Sequence, residues 1–292
     1  MEQGLFVQNF DKMINRIKIT VMIIMKKNRL YTVITGASRG LGKSLAHECA
    51  ACNRNLILIS LPGENINLLA TRISVIYNIE VRYFETDLTN DRELNHLCDE
   101  LSVKFNIDML INNAGIGGVH DFTNASAAYI DNIILLNIKA LVTLTQRLLP
   151  VLKKQEKAYI LNIASMASFG PMPYKTVYPA SKAFVYSFSR SLYAELKDTN
   201  VLVSVAHPGG MATNPHVSER INSYNRLIKS TILSPDSVAR ICIRNVLNGK
   251  SIIIPGIMGK LSWVIIKILP TQFLLDVFKK SLLKELKLIH AA

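Results

Sequence analysis

The chain has 292 residues, 49% of them hydrophobic, which suits one large α/β domain with a full core. Its net charge of +13 invites a nucleic-acid reading, yet residues 1–29 and 256–292 each carry six Lys/Arg against two acids, set among apolar residues. Basic termini of this kind suit an anionic membrane surface and argue against a DNA or RNA groove.

Residues 1–24 read as a loose extension or an upstream mis-start. Ile17–Met25 is apolar but short, Lys18 interrupts it, and Lys26, Lys27 and Arg29 stand where a signal peptide has small residues. It is also too short to span a bilayer. From Tyr31 the pattern alternates. Strands are predicted at 31–35, 56–60, 81–84, 107–112, 159–163, 201–206 and 251–254. Helices are predicted near 41–52, 64–77, 91–105, 126–153, 178–198 and 235–248. Apolar strands alternating with helices predict a doubly wound, mainly parallel seven-stranded sheet, buried on both faces. We expect one domain over 25–256 and a helical tail over 257–292, broken at Pro270.

Along this frame, TGASRGLG places Gly36, Gly40 and Gly42 between a strand and a helix. Glycine permits the tight turn and a close approach to a pyrophosphate, and the helix N-terminus supplies N–H groups and positive dipole. Cys49 and Cys52 lie on the following helix at i, i+3, where cysteine packs as a small hydrophobe. With Cys98 and Cys242 they form neither a disulfide framework nor a zinc pattern, so a reducing cytoplasm and no metal site are expected. The strand ending Ile59-Ser60-Leu61-Pro62 carries no acid for a ribose 2′-hydroxyl, and Arg39 lies where a 2′-phosphate would sit, so NADP(H) is expected, with NAD(H) left open. In YPASK, Tyr178 and Lys182 are one helical turn apart on one face.

TGASRGLG, NNAG at 112–115, Asn137, Ser165 and YPASK together resemble the short-chain dehydrogenase/reductase family of the Tyr-x-x-x-Lys type, over roughly residues 30–255. The resemblance implies a Rossmann-type fold and hydride transfer between a nicotinamide cofactor and a carbonyl or alcohol carbon. It implies Tyr178 as general acid/base, Lys182 as its electrostatic partner and ribose ligand, Ser165 as holder of the substrate oxygen, and Asn137 as support for a water leading to Lys182. A free phenol titrates near 10, and an ammonium about 4 Å away at an effective dielectric of about 20 could lower it by about 3 units. The implied cofactor contacts are Gly36, Ser38, Arg39, Gly40, Leu41, Gly42, Asp87, Leu88, Asn113, Ala114, Gly115, Tyr178, Lys182, Pro208, Gly209 and Thr213. Asp87 reads equally as a helix N-cap, a job Thr89 or Asn90 could also do. Ser168 sits out of register, and His207 reads as structural.

Residues 214–233 are expected to cover the substrate. The apolar, lysine-punctuated tail is read as a surface-lying membrane helix, a lid or a subunit contact, and it favours a lipophilic substrate such as a 3-oxoacyl chain or steroid-like ketone. No nucleic-acid partner is expected, a homo-oligomer is, and the protein is placed in the cytoplasm or peripherally at the inner face of a membrane. The rival reading is a cofactor-binding sensor that turns nothing over.

Overall fold

The computed structural model describes residues 29–211 and 232–291. Seven strands form one sheet: β1 (Leu30–Thr35), β2 (Asn55–Ser60), β3 (Val81–Glu85), β4 (Asn106–Asn112), β5 (Ala158–Ile163), β6 (Val201–Ala206) and β7 (Ile252–Ile253). Their order is β3-β2-β1-β4-β5-β6-β7, and every neighbouring pair is parallel. The chain steps outward from β1 to β3, then returns to lay β4 on the other side of β1. The helices that follow β1 and β4 therefore lie on opposite faces of the sheet, and the carboxyl end between these two strands is the switch point where sheets of this class hold ligands.

Adjacent strand residues point to opposite faces, and both faces are buried. Ile34, Leu58 and Met109 pack with Leu45, Ile73 and Val246 from α1 (Gly40–Ala51), α2 (Ile66–Tyr77) and α6 (Pro235–Leu247). Their neighbours Val33, Ile57 and Leu110 pack with Leu97, Leu148 and Leu192 from α3 (Asp91–Lys104), α4 (Ala127–Leu152) and α5 (Val177–Glu195). Each such side chain contributes about 1.5–3 kcal/mol of burial. Cys49 and Cys242 lie within the first of these cores. Burial pushes both thiols up to about 12, which leaves them unreactive.

Two strands depart from expectation. β3 is the sheet edge, so Arg82, Tyr83 and Glu85 are open to solvent instead of buried on both faces. Charged side chains on an edge strand discourage pairing with another chain. β7 shortens to two residues, although Ser251 and Ile253 still accept the Val205 and His207 N–H groups at 2.9 and 2.8 Å.

Among the described residues, α4 is the one helix long and apolar enough to cross a membrane. Its Leu144, Leu148 and Leu152 are buried against the sheet. Leu135–Ala140 within it is π-helical, a distortion often found at functional sites, and this segment contains Asn137. The tail forms α7 (Ile257–Ile268) and α8 (Thr271–Ala291). The break falls at Leu269, held extended because proline follows.

Candidate active site

The glycine loop and the β4 loop meet backbone to backbone. Gly36 takes φ +63°, and a Cβ there would lie 2.9 Å from the Ala114 Cα. A Cβ on Gly42 would lie 1.9 Å from the Gly36 oxygen. Asn113 locks this approach: its side-chain amide donates to the Thr35 and Gly36 carbonyls at 2.9 and 3.1 Å. The Thr35 hydroxyl accepts the Asn113 and Ala114 N–H groups, both at 3.0 Å. Asn113 thus holds the loop in shape as well as lying beside it.

Around the loop, the Ser38 hydroxyl donates to Glu64, and the Arg39 guanidinium sits 3.2 Å from the same carboxylate. β2 ends without an acid, as read from the sequence, but the chain then turns back and delivers one. Glu64 had no signal at the strand end because it lies beyond a Pro-Gly turn. Asp87 caps its own turn, accepting the Thr89 N–H at 2.9 Å and hydroxyl at 2.7 Å. Asn90 is the N-cap of α3. Leu41 and Leu88 are buried. Pro208 offers its carbonyl to the Met166 N–H at 3.0 Å, and Gly209 faces open space. Thr213 lies outside the described residues, as do residues 1–24 and nearly all of 214–233.

Three elements bring the expected reacting groups together. Ser165 follows β5, its hydroxyl accepts the Ala167 N–H at 3.1 Å, and it lies close enough to the Tyr178 phenol to act on its ionisation. Tyr178 and Lys182 lie in the first two turns of α5. Lys182 is buried; its Nζ donates to the Ile163 carbonyl at 2.9 Å and stands 6.0 Å from the centre of the Tyr178 ring. Asn137, fully buried, accepts the Ile116 N–H and donates to the Ile116 carbonyl, both at 2.9 Å. It also donates to the Ser181 hydroxyl at 3.0 Å. In this arrangement it clamps the loop after NNAG. Gly115 fits here because a Cβ would lie 3.1 Å from both Asn137 Oδ1 and Lys182 Nζ.

The electrostatics differ from the expectation of a phenol lowered by its lysine. Burial raises Tyr178 above the ordinary phenol value, and the nearby Ser165 hydroxyl offsets this only in part. Burial also pushes Lys182 down, to about 8. Desolvation dominates because both groups lose water while the ammonium points to a backbone carbonyl.

This gives a stability prediction. A lysine whose pKa is lower folded than unfolded binds fewer protons in the native state between about 8 and about 10.5. Stability then rises with pH across that window. Burying the ammonium is costly below about 8, and the cost is relieved as pH climbs to the unfolded value. The shift corresponds to about 3 kcal/mol. Lys182→Met should therefore be more stable than the parent at pH 7, with the difference shrinking as pH rises from 8 toward 10.5. A pH-independent difference in denaturation midpoints would overturn this.

One residue at the site escaped the sequence reading, and two were read without a place in it. Gly117 lies on the Tyr178 ring, where a Cβ would come within 2.4 Å of Cδ2; the only signal was the Gly117-Gly118 pair shortly after NNAG. His207, read as structural, contacts the Ser165 turn, and Ser168, read as out of register, joins it.

The short chain dehydrogenase family model matches residues 31–223. Over 204 residues, 69% of this chain, the sequence is 32% identical to the 17-beta-hydroxysteroid dehydrogenase type 3 of Homo sapiens, covering 65% of that protein. Over 191 residues, 61% of this chain, it is 37% identical to a very-long-chain 3-oxoacyl-CoA reductase of Vanderwaltozyma polyspora, covering 54% of it. The chain thus spans less than two-thirds of the length of either. Among solved structures, a short-chain dehydrogenase from Sphingobium yanoikuyae in complex with NADPH superposes with a TM-score of 0.71 at 25% identity, over 82% of this chain and 92% of that one. With a family model matched over most of its length, a seven-stranded parallel sheet, and Ser165, Tyr178 and Lys182 gathered at that sheet's carboxyl edge, the chain belongs to the short chain dehydrogenase family.

Proposed function

We propose that this protein is an NADP(H)-preferring carbonyl reductase or alcohol dehydrogenase acting on a lipophilic ketone or 3-oxoacyl chain. The observation that carries the reading is the gathering of the Ser165 hydroxyl, the Tyr178 phenol and the buried Lys182, whose Nζ stands 6.0 Å from the centre of the phenol ring. The glycines allow the tight, close-packed turn into the N-terminus of α1 that a pyrophosphate site requires. Gly36, Ser38, Gly40 and Gly42 would hold it, with Arg39 toward a 2′-phosphate and Asp87 toward the adenine. When bound, the nicotinamide supplies or accepts the hydride.

The chain's own residues handle oxygen and proton. Ser165 donates to the substrate oxygen as negative charge develops on it. Tyr178, kept protonated by its raised pKa, delivers the proton to that oxygen, and in the oxidative direction the phenolate takes it back. Lys182 stabilises the phenolate; at about 6 Å and an effective dielectric of about 20 this attraction is about 3 kcal/mol. Asn137 keeps the Ile116 loop against the site.

The lipophilic substrate is supported by the named relatives and by what the tail covers. Leu282 and Leu286 of α8 pack with Val119, Met172 and Tyr174, which lie in the loops flanking Tyr178. Ile266 and Phe278 lie against Gly170. The test is NADPH absorbance followed against a panel of steroid ketones, 3-oxoacyl thioesters and aldoses. Consumption with the first two classes and not with sugars is expected. Tight NADPH binding without consumption would favour the sensor reading.

The tail's outer face supports a peripheral place at the cytoplasmic side of a membrane. Ile257, Leu261, Val264, Ile265, Ile268, Phe273 and Val277 are exposed, with Lys260, Lys267, Lys279 and Lys280 among them. An apolar face studded with cations matches an anionic lipid surface, at about 1 kcal/mol per lysine. The full chain should sediment with phosphatidylserine vesicles at low salt and be partly released at high salt. Leu261→Glu with Ile265→Glu should abolish sedimentation. If the parent stays in the supernatant with anionic and neutral vesicles alike, the membrane reading fails.

A further inference from the structure

We propose that His207 is a positioning residue for Ser165, acting on the peptide plane that follows it. The inference rests on the reading of Ser165 as the hydroxyl beside Tyr178. One peptide unit carries the Ser165 carbonyl and the Met166 N–H, and residues 207–208 hold it at both ends. His207 Nδ1 lies 3.1 Å from the Ser165 carbonyl, and the Met166 N–H donates to the Pro208 carbonyl at 3.0 Å. On the other side of Ser165, the Ala164 N–H donates to the Ala206 carbonyl at 2.8 Å. Ser165 is thereby fixed from both directions by the end of β6, at φ −164° and ψ 160°. Rotation of the clamped plane is rotation about ψ of Ser165, and it would turn the hydroxyl relative to Tyr178.

The imidazole's protonation is set by its surroundings. A carbonyl oxygen only accepts, so Nδ1 carries the hydrogen. Ser168, 2.8 Å from the same nitrogen, also donates to the Ser165 carbonyl, so two donors converge on one oxygen. The ring is fully buried between Phe169, 4.3 Å away and tilted 33°, and the edge of Tyr186 at 4.9 Å. Burial pushes it down to about 4, which keeps it neutral at ordinary pH. Nε2 is buried with no partner among the described residues. An apolar ring would fill this box without stranding that nitrogen, so the polar purpose of the residue lies on the Nδ1 side. Trp263 of α7 meets the far edge of Phe169 at 6.2 Å, so the tail helix packs on the same stack.

The test uses His207→Asn, which keeps a donor close to the Nδ1 position, and His207→Leu, which has none. Ser168→Ala removes the companion donor and guards against failure of the leucine variant to fold. The first readout is the Tyr178 phenol titration by ¹³C-tyrosine NMR in the full chain without added cofactor, its signal assigned by its loss in Tyr178→Phe. The Ser165 hydroxyl beside it lowers the phenol, so His207→Leu should move the titration up, toward that of Ser165→Ala. His207→Asn should stay near the parent, and Ser168→Ala should shift less than His207→Leu. The second readout is turnover of the best ketone from the panel. His207→Leu should lose about tenfold in kcat with NADPH affinity unchanged, part of what removing an oxyanion donor outright costs. On a Ser165→Ala background the same change should cost nothing further, because the two act as one unit.

A Tyr178 titration equal to the parent in both His207→Leu and Ser168→Ala overturns the proposal. So does an equal upward shift in the leucine and asparagine variants, or full additivity with Ser165→Ala. Absence of turnover in the parent, with the titrations moving as expected, would count against the enzymatic reading and leave the positioning role standing.

Discussion

Tyr178→Phe is expected to lose between about 10² and 10⁴ in kcat, the usual range for removing a positioned general acid. The phenyl ring keeps its place against Gly117 and in the first turn of α5, so NADPH affinity should change little. Steady-state turnover with the best panel ketone, alongside a fluorescence titration of NADPH, separates the two effects. Ordinary turnover in the variant would remove Tyr178 from the chemistry. The parent's pH profile adds a signed expectation. The phenol is held above its ordinary value, so it stays protonated through neutrality and costs the reductive rate nothing there. Lys182 is charged below about 8 and loses its charge above. Ketone reduction should therefore fall as pH rises through about 8, when the charge that stabilises the nascent phenolate disappears. A flat profile to pH 10 would show that the ammonium is not needed.

Arg39→Ala should weaken NADPH binding by about 10- to 100-fold, the loss of one charge-assisted hydrogen bond, and leave NADH nearly unchanged. The neighbouring carboxylate makes the converse experiment informative. Glu64 holds Arg39 and Ser38 at the spot where a 2′-phosphate would bind, and it would repel that phosphate. The exposed Arg39–Glu64 pair itself adds little stability. Glu64→Gln should free the guanidinium, remove the repulsion, and tighten NADPH while loosening NADH. Equal losses of both cofactors in Arg39→Ala, measured by binding, would make Arg39 structural. Unchanged NADPH affinity in Glu64→Gln would mean that the carboxylate swings aside at no cost.

Much of the fold and the heart of the site could be read from residues 30–255 because the information there is local. Strand and helix periods are set by neighbours along the chain, and the turn from β1 into α1 needs its glycines within one stretch. Tyr178 and Lys182 are one helical turn apart wherever that helix packs. What the chain does between distant segments was not legible. Periodicity cannot say which strands lie at the edges; β3 and β7 do, and β3 is open to solvent. Glu64 reaches Arg39, Gly117 reaches Tyr178, and His207 reaches Ser165 only because loops from several strands converge at one edge of the sheet. The tail's inner face became identifiable once its leucines met Val119 and Met172. The sign of the phenol's shift was likewise a tertiary property. Sequence spacing places an ammonium near a phenol, but burial, which falls on both groups and which only packing determines, decided that Tyr178 goes up and Lys182 goes down.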